Sequence, residues 1–162
     1  MQRSKLSEFL LLFSSIIICQ LAGFIGSLFT TPSIPSWYAG INKPSFNPPN
    51  WVFAPVWTTL FLLMGISLYL ILRTGLNEKT VKIAFAVFVF QLVLNSLWSF
   101  LFFGLHSPFS AFIEIIFLWI AILASIILFF RISWVAGILL IPYILWVSFA
   151  SVLNFAIWRL NI

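Results

Sequence analysis

Charge is what this chain has least of. Only 7% of its 162 residues are Asp, Glu, Lys or Arg, and only three are acidic, whereas an ordinary soluble domain carries roughly 25% charged residues. A water-soluble globule of this size would lack the polar surface to cover itself, so a soluble enzyme or binding domain is excluded. Disorder is excluded as well, because it needs low hydrophobicity and high charge, and 63% of this chain is hydrophobic. There is one cysteine, Cys19, which allows neither an internal disulfide nor a cysteine metal cluster. Set in an apolar run, it reads as a buried, inert thiol. There is one histidine, His106, which lacks the second ligand that a metal or haem site would need. No Ser-His-Asp set, glycine-rich phosphate loop or pair of carboxylates occurs, so hydrolase and nucleotide chemistry have no candidates. The residues therefore predict no metal, no cofactor and no acid–base catalytic group. No internal repeat is visible, which counts against an inverted-repeat transporter.

What the chain has in quantity is apolar and aromatic. Aromatic residues make up 19%, with 20 Phe, 8 Trp and 3 Tyr. Five apolar runs stand out: Phe9–Phe29, Phe53–Leu72, Val81–Phe103, Phe109–Phe130 and Val135–Ile157. Each, as a helix rising 1.5 Å per residue, covers a hydrocarbon core of about 30 Å. Helices satisfy their own backbone hydrogen bonds, as lipid requires, and no run shows the period-two alternation of a β-barrel. The expectation is an all-α membrane protein, a five-transmembrane-helix bundle forming a single domain over residues 1–162. The first run is too long for a signal-peptide core and reads as the first span.

The net charge of +5 comes from scattered cations lying between apolar runs, not from a patch, so no nucleic-acid partner is expected. Arg3, Lys5, Arg73, Lys79, Lys82 and Arg131 fall on one side of the five-span topology, and Lys43 and Arg159 on the other. That bias predicts a cytoplasmic N-terminus, with the C-terminus and the first loop opposite. This first loop, residues 30–52, contains five of the eight prolines. Proline restricts both itself and the residue before it, so an ordered, non-helical lid with a short turn is expected. Its aromatic residues argue that it packs onto the bundle. The other connections are short.

Polar residues inside the spans are costly and each needs a reason. Gln91, Asn95 and Ser99 are spaced by four and share a helix face, with Trp98 beside it. Trp146, Ala150 and Asn154 form a second such face, a large plate beside a notch. Two readings stand: interhelical packing with amides as glue, or a lined cavity with a few polar anchors in an aromatic shell. Glu114 is the only carboxylate within a span. It is either a proton carrier or partner for a cationic ligand, or a helix-end carboxylate that is paired or reaches water. The small pairs Ala22/Gly26 and Gly23/Ser27 suit a helix contact or a dimer face, and Pro142 predicts a bend in the fifth helix. Trp134 and Trp158 fit an interfacial belt and Trp37 and Trp51 belong to the lid. Trp57, Trp98, Trp119 and Trp146 lie within spans, where stacking on a flat ligand would suit them.

Three blocks carry a resemblance. WYAGINKPSFNPPNWVFAPVW (Trp37–Trp57) resembles the first-loop signature of the TspO/translocator protein family, the tryptophan-rich sensory proteins or peripheral-type benzodiazepine receptors. LNSLWSFLFFGLHSP (Leu94–Pro108) and LLIPYILWVSFASVLNFAIWRLN (Leu139–Asn161) resemble its third- and fifth-helix signatures. The resemblance implies a homodimer of five-helix bundles. It also implies a pocket for porphyrins (protoporphyrin IX and other haem precursors), another flat hydrophobic small molecule, or benzodiazepine-type ligands, acting in their transport or sensing. The positions it assigns to the pocket are Tyr38, Pro48, Trp57, Asn95, Trp98, Trp146 and Ala150, with Glu114 at an acidic fourth-helix position. Membrane lipid is a partner by location, but sterol binding is not expected, since VLNFAIWR has Phe155 where the family's sterol stretch has Tyr. Phe46 stands where many relatives have Trp. Two alternatives accompany this reading: light-dependent porphyrin breakdown using Trp57 and Trp146, and proton-coupled small-molecule export using Glu114.

Overall fold

The computed structural model describes residues 4–162; of the cations used above, Arg3 lies outside them. Helix α1 (Lys5–Ser33) opens at Ser4, whose Oγ accepts the Ser7 N–H at 3.2 Å, and places Glu8 in its first turn, where the helix dipole favours a carboxylate. It outruns the expected span by a turn at the C-terminal end and carries Pro32 in its last turn. The lid is correspondingly shorter than expected. It holds the one-turn helix α2 (Trp37–Gly40) and then an irregular stretch to Pro49 with a turn closed by the Asn47 N–H donating to the Pro44 carbonyl at 3.0 Å. Trp51 is not a lid residue: α3 (Asn50–Leu72) starts as soon as Pro48 and Pro49 are past, and Trp51 stands exposed in its first turn.

Helix α4 (Lys79–Ser99) continues into a π-helical turn, Phe100–Gly104, marked by the Leu105 N–H donating to the Phe100 carbonyl at 2.8 Å. The wider turn carries Phe102 inward, where it is 2% exposed. His106 then turns the chain with φ of 53° and stacks on Trp37 at 4.6 Å. Helix α5 (Pro108–Phe130) follows, with Ser107 as cap and proline at its start. The fifth span is two helices, not one bent one: α6 (Trp134–Leu139) ends, Leu140 breaks the run, and α7 (Ile141–Leu160) begins. Pro142 explains the break, because it has no N–H for the carbonyl four residues back.

The described residues thus contain five crossings long and apolar enough to span a membrane, counting α4 with its π turn and α6 with α7 as one each. The outward faces carry large apolar side chains such as Phe9, Phe13, Phe90, Phe117 and Leu145. In water these would be a liability; in a bilayer they match the solvent. The chain is an integral, multi-pass membrane protein.

Small residues set the helix spacing. A Cβ on Gly65 would lie 2.6 Å from the Ile16 Cα, so α1 and α3 cross in backbone contact there. A Cβ on Gly23 would lie 2.5 Å from the Phe61 ring, and one on Gly26 2.9 Å from the Ser99 Oγ. The small residues of α1 therefore serve contacts within the chain. Polar staples add to these contacts: Ser96 Oγ of α4 donates to the Ala22 carbonyl of α1 at 3.1 Å, and Ser67 Oγ of α3 donates to the Ala136 carbonyl of α6 at 2.7 Å. The core between α3, α4, α5 and α6 is packed with Met64, Leu68, Phe88, Ile115, Leu118 and Phe129.

Candidate functional site

Toward the lid end the helices part around a cavity of about 500 Å³, walled by α1, α3, α4 and α7. This lies within the usual size of small-molecule sites. Phe53, Trp57 and Phe61 come from α3, Trp98 and Phe102 from α4 and its π turn, and Trp146 and Ala150 from α7. Tyr38 of the lid closes the end. The rings brace one another: Trp57 stacks on Phe61 at 5.6 Å, Trp98 on Phe102 at 5.2 Å, and Phe53 meets Trp146 edge-on at 6.1 Å. Among the described residues, no charged side chain lines it.

Hydrogen bonds decide which polar groups are free for a ligand. The Asn95 amide donates to the Tyr143 hydroxyl at 2.9 Å, and that hydroxyl donates to Gln91 Oε1 at 2.9 Å, so both amides of this α4 face engage α7. Trp98 Nε1 donates to Asn154 Oδ1 at 2.9 Å, and the Asn154 amide donates to the Pro108 carbonyl at 2.8 Å. Trp119, in the span but outside the cavity, donates to Ser148 Oγ at 2.8 Å. Trp146 is different. Its indole nitrogen is buried and has no hydrogen-bond partner. A buried, unmatched donor is costly; the Trp146 ring lines the cavity, while its nitrogen is turned into the protein.

The lid is held at both edges. Lys43 Nζ donates to the Tyr38 and Ile41 carbonyls at 2.6 and 2.9 Å, and lies 4.9 Å from the Tyr38 ring centre. The Tyr38 hydroxyl donates to Asn47 Oδ1 at 2.7 Å, and burial pushes its pKa above the usual tyrosine value. Asn42 and Asn161 form a reciprocal clasp: the Asn42 N–H donates to Asn161 Oδ1 at 3.0 Å, and Asn161 Nδ2 donates to the Asn42 carbonyl at 2.9 Å. The clasp fastens the lid to the end of α7.

Six of the eight positions assigned from the sequence, namely Tyr38, Trp57, Asn95, Trp98, Trp146 and Ala150, come together on this one cavity. Pro48 does not line it. Its carbonyl accepts the Asn47 amide at 3.1 Å, which shapes the lid just before α3. Glu114 does not line it either, because α5 contributes no wall and Glu114 lies in a separate recess between α4 and α5. The sequence reading missed the contribution of α1, where Gly23, Gly26, Ser27 and Thr30 form a wall. Their small-residue spacing was the available signal. It also missed Phe102, brought inward by a π turn that no hydrophobic period announces.

A family profile now accounts for nearly the whole of this arrangement: that of the TspO/MBR family matches residues 15–159. The chain belongs to the TspO/MBR family. Among its relatives is the tryptophan-rich protein TspO of Archaeoglobus fulgidus, 48% identical over 151 residues that cover 93% of this chain and 96% of that protein. The translocator protein of Homo sapiens is 37% identical over 140 residues, covering 85% and 82%. The tryptophan-rich sensory protein of Cereibacter sphaeroides is 32% identical over 125 residues, or 77% of each chain. The match to the TspO/MBR profile runs from the middle of α1 to the end of α7, so all four helices that wall the cavity fall within it.

Proposed function

We propose that the cavity binds a flat, hydrophobic tetrapyrrole such as protoporphyrin IX, and takes benzodiazepine-type ligands in the same space, in the service of their transport or sensing. The names translocator and sensory protein carried by relatives point the same way. The observation that carries the reading is a neutral, ring-lined cavity of about 500 Å³ with Trp57, Trp98 and Trp146 in its walls. Aromatic walls favour a planar ring system by offset stacking. Absence of charge inside the cavity leaves ionised carboxylates of such a ligand to the mouth. The protein works as a homodimer with its N-terminus cytoplasmic and the lid on the opposite side, a reading supported by the family resemblance and by the distribution of Lys and Arg.

The test is titration with protoporphyrin IX, read by quenching of tryptophan fluorescence. Trp146→Ala removes the stacking surface and is expected to weaken binding by about 10- to 100-fold. Identical titrations of the wild type and Trp146→Ala would remove the cavity as the binding site.

A further inference from the structure

On the outer face of the bundle, α4 and α5 leave a long apolar recess of about 540 Å³ that shares no residue with the cavity. Phe90, Leu97, Phe117 and Ile120 rim it and face outward. Ala121 and Ala124 contribute small side chains that hollow the α5 side into a trough. Among the described residues only two polar ones line it, Ser110 and Glu114, and no Lys or Arg does. Glu114 is 7% exposed, and neither of its carboxylate oxygens has a hydrogen-bond partner. An unpaired carboxyl group at this depth is costly, and the cavity makes no use of it.

The recess has a direction. Ser110 is in the first turn of α5, Glu114 lies about 9 Å along the helix from its start, and Ala124 about 15 Å further on. The acidic group is thus just below the membrane surface at the lid end, and the trough runs from it toward the bilayer centre, long enough for one extended alkyl chain. We propose that this recess is a second, lipid-facing site for a single-chain cationic amphiphile. Its ammonium head pairs with the Glu114 carboxylate and its tail lies along Phe117, Ala121 and Ala124. Charge complementarity favours a cationic head over a neutral or anionic one, since only a cation offsets the desolvation of an ionised carboxylate. The space between two adjacent helices favours one chain over two. This site stands or falls independently of the ligand of the cavity.

The test uses the full chain in phosphatidylcholine nanodiscs and dicyclohexylcarbodiimide, an apolar reagent that modifies carboxyl groups within membranes. Labelling is read by mass spectrometry of the peptide containing Glu114. Dodecyltrimethylammonium, which has no N–H to react, is expected to protect Glu114 saturably, whereas dodecanol does not. Ala124→Phe fills the trough without touching the carboxylate and is expected to raise the half-protecting concentration by about tenfold or more. Equal protection by dodecanol would mean that a neutral tail is the occupant and would overturn the proposal. So would protection unchanged in Ala124→Phe. Labelling absent in discs holding two copies but present in discs holding one would assign the recess to a second copy of the chain, and would overturn it too.

Discussion

Trp119 donates its indole N–H to Ser148, whereas the Trp146 N–H has no partner, although both sit at mid-span positions of facing helices. The two residues should therefore respond differently to loss of that group. Trp119→Phe exchanges the indole for a smaller phenyl ring and removes one interhelical hydrogen bond, the bond alone being worth about 0.5–1.5 kcal/mol net. Ser148 still donates to the Ile144 carbonyl at 2.8 Å, so the substitution strands no donor. Thermal unfolding in detergent should show this modest loss, while protoporphyrin titration stays unchanged; weakened binding would place Trp119 in the site after all. Spacing by four was enough to set Trp146 and Ala150 on one face. It could not tell which N–H groups were free, because the acceptors for Trp98 and Trp119 lie 56 and 29 residues away in the chain. Side-chain hydrogen bonds between helices are long-range facts, and hydropathy carries no trace of them.

At the scale of elements, the five apolar runs were plain because a bilayer imposes a minimum length of apolar helix. Their internal irregularities were less so. The break at Leu140 is traceable to Pro142, but the π turn at Phe100–Gly104 is an extra residue accommodated in a helix of otherwise uniform composition. Helix pairing was legible only through glycine, and Gly65, which no small-xxx-small pair flagged, makes the tightest crossing with backbone. Gly65→Val would force the α1 and α3 backbones apart at Ile16. An ordinary overpacking substitution costs about 1–3 kcal/mol, and because backbone cannot rotate out of the way as a side chain can, the upper end is expected. A melting temperature equal to wild type would show that the crossing is looser than described. Gly40, with open space around its Cβ position, supplies the contrasting control: Gly40→Ala should leave the melting temperature nearly unchanged.

For the whole molecule, the distribution of Lys and Arg gives the orientation a direct test. Ser45 is exposed in the lid and Asn77 is exposed between α3 and α4, while the native Cys19 is fully buried and should stay silent. A membrane-impermeant maleimide applied to intact cells should label Ser45→Cys and spare Asn77→Cys; the reverse pattern would invert the topology. The lid clasp gives a second test. Asn161→Ala removes both bonds to the Asn42 backbone. If lid opening limits ligand release, the dissociation rate of protoporphyrin should rise about fivefold or more while the binding walls stay intact. An unchanged rate would mean that the ligand leaves by another route.

The clasp also bears on how the protein is handled. Asn161 closes α7 and holds the Asn42 backbone through two side-chain bonds, so any label or probe attached beside it hangs directly from the latch of the lid. Such an attachment pulls on Asn161 with each thermal excursion and competes for the amide that Asn42 needs. Ligand affinities measured on protein labelled there would then report a partly unlatched cavity, and a label at the N-terminal end of α1, at the far end of the bundle from the clasp, is the neutral choice.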